Sequence, residues 1–327
     1  MPDWPRLPDL PLVLQRRVRH DIIFVGAKRM AETRKNLKLS VFLILFLIAP
    51  AFSAWGAEPC GHKNFLWKVS SKTATVYLLG SIHYLKKDAY PLNIAIEDAF
   101  SRSNVLAVEA NVIDPDKLYF TKFIGSAFYS GDETLDRHVS AGTYDLVAGE
   151  FGKFGLPMEI LSREKPWFLA LTLSALELLK AGFEPGYGID MHFLSKAGQK
   201  KIVELESVDY QVDLLSSLSD AEQESFLVHT IKELETLSRE SDKLLRIWKA
   251  GDEKGLETLL PAGGTDQGMA PVYEKLIYTR NRSMTAKIEE ILRSKDTCFV
   301  IVGAGHLVGK KGIIELLRGK GYAVEQM

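Results

Sequence analysis

The fold is decided by an apolar run that ends in a histidine, Val76-Tyr77-Leu78-Leu79-Gly80-Ser81-Ile82-His83. A continuous apolar run bounded by a glycine is typical of a strand buried on both faces. A second β-rich run at residues 65–69 precedes it across a short polar turn, which predicts a hairpin. Downstream, helical spacing over 91–103 leads to a buried strand at 104–108 that ends at Glu109. This is a βαβ unit, whose two strands run parallel.

The rest of the sequence adds helices and three more strands. Apolar residues three and four apart predict most of the helices. We therefore expect an α/β fold with a central mixed, partly parallel sheet and a large helical insertion. The helices are predicted at 115–130, 143–154, 166–180, 190–197, 209–248, 271–293 and 311–318, the strands at 201–205, 298–302 and 322–324, and a loop at 261–268.

Residues 30–56 have the pattern of a secretory signal peptide. Three basic residues precede an apolar run at 39–48, and small residues follow Pro50. The run is shorter than the roughly 20 residues that span a bilayer, so cleavage would leave no stable membrane span. The sequence predicts a periplasmic or secreted protein, with retention by an uncleaved N-terminal signal anchor as the alternative.

The signal begins unusually late in the chain. Residues 1–29 carry four prolines and no periodic pattern, and Met30 stands where a signal peptide normally starts. We interpret 1–29 as a mispredicted N-terminal extension, with a real cytoplasmic tail as the alternative. The working part of the chain is then 57–327, which shows no linker long enough to divide it into separate domains.

The net charge of −1 hides two unlike parts of the chain. The first 57 residues hold nine Lys or Arg and four acidic residues, which leaves a net charge of −6 for the remainder. A mildly acidic body offers no broad basic surface for phosphate backbones, so nucleic acid is excluded as an expected partner.

Export changes the interpretation of the two cysteines. In an oxidising compartment a pair is more often bridged than free, so a disulfide between Cys60 and Cys298 is predicted. The alternative is two unrelated buried thiols.

A second strand repeats the opening pattern. Val300-Ile301-Val302 is followed by Gly303 and, three residues later, His306, just as Gly80 precedes His83. A glycine lets the backbone turn sharply next to a ligand. Ligand sites collect beyond the carboxyl ends of parallel strands. We therefore expect His83, His306 and the strand-ending Glu109 to converge.

Two imidazoles and a carboxylate are a common set of ligands for a catalytic metal, because three protein ligands leave one position for water. A bound ion lowers the pKa of that water and polarises a carbonyl, which favours hydrolysis. Two alternatives remain open at this point. His83 and Glu109 could form a metal-free acid and base pair, or these residues could have structural roles alone.

Several motifs, taken in order, resemble the TraB/GumN family, which includes the Tiki metalloproteases. The resemblance covers roughly residues 62–327. The motifs are Leu79-Gly80-Ser81-Ile82-His83, Val108-Glu109-Ala110-Asn111, Tyr187-Gly188-Ile189-Asp190, Glu204-Leu205-Glu206 with Gln211, Arg280-Asn281-Arg282-Ser283-Met284, and Gly303-Ala304-Gly305-His306-Leu307.

The resemblance implies a fold related to erythromycin-esterase-like and haem-binding ChaN-like proteins. It also implies a divalent metal, manganese or cobalt in Tiki-like members, held here by His83, Glu109 and His306. Zinc is the further option. Peptide-bond hydrolysis of a peptide or protein substrate is the implied activity. The alternatives are a metal-free esterase-like hydrolase and a non-catalytic module that binds haem or another ligand.

Further residues receive roles from the same resemblance. Arg280 and Asn281 are expected to bind a substrate carbonyl or an anionic intermediate, with pairing of Arg280 to a structural carboxylate as the alternative. Glu206 is expected either as a general base or as a solvated strand end. From the residues themselves, Asp190 is interpreted as a helix N-cap in preference to a site residue, and His192 as a weaker candidate for the site. Substrate identity and oligomeric state stay open.

Overall fold

The structure is a computed structural model that describes residues 63–113, 119–259 and 268–327. Several predictions from the sequence concern residues outside these ranges. They are the signal peptide at 30–56, the start at Met30, the pairing of Cys60 and most of the loop at 261–268. The bridge between Cys60 and Cys298 therefore stays a prediction. Cys298 itself is buried.

A six-stranded mixed sheet forms the centre of the molecule, in the order β4-β3-β5-β2-β1-β6. Strands β2, β3, β4 and β5 are parallel, and β1 runs antiparallel to both β2 and β6. The predicted α/β class with a partly parallel sheet is confirmed. The strands are β1 (Leu66–Ser70), β2 (Thr75–Ser81), β3 (Val105–Val108), β4 (Lys201–Glu204), β5 (Thr297–Gly303) and β6 (Ala323–Gln326).

The β2 and β3 strands of the βαβ unit are parallel but not adjacent, because β5 lies between them. Residues of β3 and β5 are almost entirely buried, which explains their continuous apolar sequences. Ser81 lies opposite Gly303, and Val108 lies opposite Ile301. The carboxyl ends of three strands therefore meet at one edge of the sheet.

The helices surround this sheet and form the insertion. They are α1 (Ile94–Arg102), α2 (Tyr119–Ala127), α3 (Ala141–Gly152), α4 (Met158–Leu161), α5 (Pro166–Lys180), α6 (Ile189–Ser195), α7 (Val208–Ser216), α8 (Asp220–Lys249), α9 (Glu253–Leu259), α10 (Ala270–Tyr273), α11 (Arg280–Leu292), α12 (Ala304–Leu307) and α13 (Ile313–Gly319). A π-helical segment, Glu274–Thr279, joins α10 to α11.

The predicted helix over 209–248 is two helices, so that prediction was wrong at the break. Ser219 caps α8, because its side chain accepts from the backbone N–H of Glu222 while the Glu222 side chain accepts from the backbone N–H of Ser219. This reciprocal pair is a capping box, a signal of a new helix start that apolar periodicity alone does not register.

Two hydrophobic clusters fill the described part of the molecule. The sheet cluster packs around Trp67 and Phe299, and the helical cluster packs around Phe151 and Trp167. Across the described ranges, no helix is both long and apolar enough to cross a membrane.

Candidate active site

The two glycine-histidine turns pack directly on each other beyond the strand ends. A Cβ at Gly80 would lie 3.1 Å from the Cα of Ala304 and 2.5 Å from the ring of Phe65. Trp248 at the end of α8 donates its indole N–H to the carbonyl oxygen of Gly80 at 2.6 Å. Glycine is required here because two backbones and an aromatic ring share the space that a side chain would need.

His83 is held by a carboxylate from α6. Its Nδ1 lies 2.6 Å from Oδ2 of Asp190, whose Oδ1 accepts from the Ser81 hydroxyl at 3.2 Å. Burial acts to lower the pKa of His83, but the adjacent Asp190 carboxylate outweighs it and raises the pKa above its ordinary value. The N-cap of α6 is Gly188, so the interpretation of Asp190 as an N-cap was wrong.

Backbone contacts bring Asp190 to His83. Leu85 and Glu184 exchange hydrogen bonds in both directions, and the N–H of Ile189 donates to the carbonyl oxygen of Ile82 at 3.1 Å. At Gly188 the two segments touch, since a Cβ there would lie 2.2 Å from the carbonyl oxygen of His83. The glycine that precedes α6 thus allows the approach that pairs Asp190 with His83.

We expect Gly188→Ala to lower the free energy of unfolding by about 1–3 kcal/mol, because the new methyl group must push the His83 turn away. Urea denaturation measures this. The matched control is Gly186→Ala, where a Cβ would meet nothing within 4 Å. Equal losses of stability in the two variants would contradict the close contact.

Glu109 is buried and bound on both oxygens. The N–H of Gly303 donates to Oε1 at 2.6 Å, and Nη2 of Arg280 donates to Oε2 at 2.7 Å. Burial raises the pKa of Glu109, Arg280 opposes this, and the nearby Glu206 carboxylate adds to the increase, so the pKa lies above its ordinary value. Gly303 therefore serves the site with its backbone N–H as well as with its turn.

Arg280 is fully buried and connects two carboxylates. Its Nε donates to Oε1 of Glu206 at 2.9 Å, and Nη2 donates to Oε2 of Glu206 and of Glu109, each at 2.7 Å. Burial alone would lower the pKa of Arg280, but the two carboxylates raise it above its ordinary value. Gln211 also donates to Glu206, at 3.0 Å.

The π-helical segment explains part of this geometry. Nη1 of Arg280 donates to the carbonyl oxygen of Leu276 inside that segment, at 3.2 Å. Single π turns within α-helices occur frequently at functional sites. With donors on all three of its nitrogens engaged, Arg280 is placed to hold Glu109 and Glu206 together. The predicted contact of Arg280 with a substrate stays a prediction.

His306 is held by an amide from α11. Its Nδ1 is hydrogen-bonded to Oδ1 of Asn281, whose Nδ2 donates to the carbonyl oxygen of Lys311 at 2.8 Å. Nε2 of His306 lies 3.8 Å from Oε1 of Glu109. Burial, together with the charges of Arg280 and His83, lowers the pKa of His306 well below its ordinary value, so this ring is neutral near pH 7.

Glu109 and His306 are buried and His83 is partly buried, and the charge of Glu109 contributes to the raised pKa of His83, so the three predicted metal ligands belong to one polar cluster at this edge of the sheet. The types of these three side chains fit a divalent ion. An oxygen acceptor orients each imidazole through Nδ1, which is the arrangement typical of metal-binding histidines. Within the described ranges, however, no three His, Cys, Asp or Glu side chains are grouped closely enough to hold an ion as they stand.

His192 lies in a different pair. Its Nε2 is 2.9 Å from Oε1 of Glu97, and its ring packs against Tyr90 in a tilted arrangement with centroids 4.8 Å apart. The sequence analysis missed the role of Asp190, although Asp190 ends the motif Tyr187-Gly188-Ile189-Asp190. It also missed Ser81, which carries no separate signal.

Residues 65–326, which include every residue of this cluster, match the TraB/PrgY/gumN family. The chain belongs to this family. The resemblance seen in the sequence motifs is thus confirmed.

Relatives of this TraB/PrgY/gumN family member are distant and mostly uncharacterised. The uncharacterised protein YbaP of Escherichia coli K12 is 26% identical over 244 residues, covering 74% of this chain and 87% of YbaP. An uncharacterised protein of Treponema pallidum is 23% identical over 301 residues, covering 85% of this chain and 90% of that protein.

One relative carries a functional name. A protein of Amphimedon queenslandica named metalloprotease TIKI homolog is 22% identical over 345 residues, covering 87% of this chain and 66% of that protein. No solved structure matches the chain.

Proposed function

We propose that this protein is a metal-dependent hydrolase that cleaves peptide bonds at the cluster formed by His83, Glu109 and His306. The observation that supports the proposal is that His306 lies 3.8 Å from Glu109 while the charge of Glu109 acts on His83, at one edge of the sheet. The similarity to a protein named as a metalloprotease supports the choice of peptide substrates.

His83, Glu109 and His306 would hold the ion, for which manganese, cobalt and zinc are the options. A divalent ion bound there supplies a water of lowered pKa and polarises a carbonyl. The protein's own residues prepare this site. Asp190 and Asn281 orient the two imidazoles, while Arg280 fixes Glu109 and balances its charge.

In this proposal Glu206 balances the charge of Arg280, a role that differs from its predicted role as a general base. Both of its oxygens accept from Arg280, and its side chain is almost completely buried. A carboxylate bound in this way is placed to balance the charge of the guanidinium. Its predicted role as a general base stays a prediction.

The test compares the full chain with its His83→Ala/His306→Ala variant. After purification, we expect bound Mn, Co or Zn in the wild type and hydrolysis of a pool of fluorescent peptides, both lost in the double variant. The control is His192→Ala, which removes a partly buried histidine outside the cluster and should change neither result. Equal metal content in the wild type and the double variant would show that His83 and His306 do not bind the ion, and it would contradict a metal-dependent function at this site.

A metal-free hydrolase is the second candidate. The His83–Asp190 pair favours it, because a carboxylate that raises the pKa of an imidazole prepares that ring to accept a proton. Glu109 would act as the acid partner. Peptide hydrolysis that survives treatment with EDTA and dialysis would favour this candidate over the metal-dependent one.

A further inference from the structure

The hydrogen bonds of Asn281 fix which nitrogen of His306 carries a proton. The carbonyl oxygen of Lys311 can only accept, so the Asn281 atom that faces it at 2.8 Å must be the NH₂ group. The other amide atom, the oxygen, therefore faces Nδ1 of His306. Because an amide oxygen also only accepts, Nδ1 of His306 must carry a proton.

Asp190 imposes the same state on His83. An ionised carboxylate has no proton to donate, and its Oδ2 lies 2.6 Å from Nδ1 of His83. The Ser81 hydroxyl donates to the other oxygen, Oδ1, at 3.2 Å. Nδ1 of His83 is therefore the donor in this pair. A neutral imidazole has only one N–H, so Nε2 carries no proton in His306, nor in the neutral form of His83.

We propose that Asp190 and Asn281 are positioning residues, which hold His83 and His306 in the same Nδ1-protonated tautomer so that both rings present Nε2 as an electron-pair donor to a divalent cation. The cation as ligand rests on the proposed function, whereas the tautomers rest on the two hydrogen bonds alone. Asn281 thereby acts on His306 instead of on the substrate.

The two acceptors come from different elements and are unlike in charge. Asp190 lies on α6 and is 107 residues from His83, while Asn281 lies on α11 and is 25 residues from His306. A charged acceptor and a neutral one produce the same tautomer in two neighbouring rings. This common result does not follow from charge balance alone, and it leaves Nε2 of each neutral ring available to coordinate one ion.

His192 provides an internal reference with the opposite arrangement. Its Nε2 faces the Glu97 carboxylate at 2.9 Å, so in its neutral form this ring carries the proton on Nε2. The same spectrum can therefore contain both tautomers, and the comparison needs no external standard.

The first experiment needs no variant of the two positioning residues. The full chain, labelled with ¹⁵N at histidine and stripped of metal with EDTA, is studied by two-bond ¹H–¹⁵N correlation at a pH where the rings are neutral. We expect Nδ1–H at His83 and His306 and Nε2–H at His192. An Nε2–H tautomer at either site histidine would overturn the proposal.

The second experiment removes each acceptor with Asn281→Leu and Asp190→Leu. The affected ring should lose its single tautomer, and Co²⁺ affinity should fall about 10–100-fold. The matched control, Glu97→Leu, removes the acceptor of His192 and should leave Co²⁺ affinity unchanged. If His306 and His83 keep Nδ1–H in these variants, Asp190 and Asn281 do not position them.

The spectra also separate this proposal from the proposed function. If the wild type shows the expected tautomers but binds no Co²⁺, Mn²⁺ or Zn²⁺, the metal-dependent function fails. The two rings then have no cation to bind, and the positioning proposal is overturned as well. If the wild type binds metal but shows Nε2–H at His306, the positioning proposal fails and the metal-dependent function stands.

Discussion

Replacing Arg280 with methionine should lower the free energy of unfolding by about 3–5 kcal/mol. The guanidinium is the buried counter-charge of Glu109 and Glu206, and it contacts both at 2.7 Å. Methionine fills similar space but leaves two carboxylates close together in the interior. Their desolvation is then uncompensated, and one of them must take up a proton. Urea denaturation near neutral pH measures the loss.

The matched control lies two residues along the same helix. Arg282 is exposed and pairs with Glu274 at 2.7 Å, so Arg282→Met should cost less than about 1 kcal/mol. A similar cost at both positions would mean that the general loss of an arginine from α11, and not the buried pair of carboxylates, sets the effect.

A second substitution tests the charge explanation directly. Glu206→Gln should destabilise the wild type, because it replaces one acceptor oxygen of Arg280 with an NH₂ donor and leaves the guanidinium with one carboxylate. In the Arg280→Met background, the same substitution should restore stability, since it removes one of the two buried carboxyl groups that have lost their counter-charge. Equal effects in both backgrounds would contradict coupling between the two residues.

The sequence could predict which residues lie at this edge of the sheet, because each strand end has a local sequence pattern. Buried parallel strands appear as continuous apolar runs, and a glycine with a histidine three residues later marks each strand end. These patterns placed His83, Glu109 and His306 together without any contact information. They could not show that β5 lies between β2 and β3, since strand order depends on how helices pack on the sheet.

The contacts within the cluster were beyond the reach of sequence patterns. Arg280 meets Glu206 and Glu109 across 74 and 171 residues, and its direction depends on a π turn whose sequence has no distinctive signal. The contact of Asp190 with His83 was equally hard to predict, because a polar residue at the start of a helix is also typical of an N-cap. The signal peptide and export stay predictions, because residues 1–62 lie outside the described residues.

A second large effect concerns Glu164, a buried carboxyl group outside the site. It lies opposite Phe128 in an isolated β-bridge just before α5, and its Oε2 has no hydrogen-bond partner among the described residues. Burial without a compensating charge raises the pKa of Glu164 to about 8. The folded protein therefore keeps this proton over a range of pH in which the unfolded chain releases it.

The sign of the pH dependence follows from that difference. Below the ordinary pKa of 4.5, both states hold the proton, so Glu164 adds no pH dependence to the stability. As the pH rises from there to about 8, the folded state binds more protons than the unfolded state, so the free energy of unfolding falls. Above that range both states are ionised and the loss is complete.

We expect Glu164→Gln to remove this dependence. Relative to the wild type, the variant should gain stability by up to about 1.4 kcal/mol per pH unit as the pH rises through this window, on top of any constant offset. Urea denaturation at several pH values measures the difference. The control, Glu159→Gln, makes the same chemical change at an exposed position of α4. A difference between wild type and Glu164→Gln that is constant with pH would show that the carboxyl group is ionised in the folded protein, which requires a compensating partner for its charge.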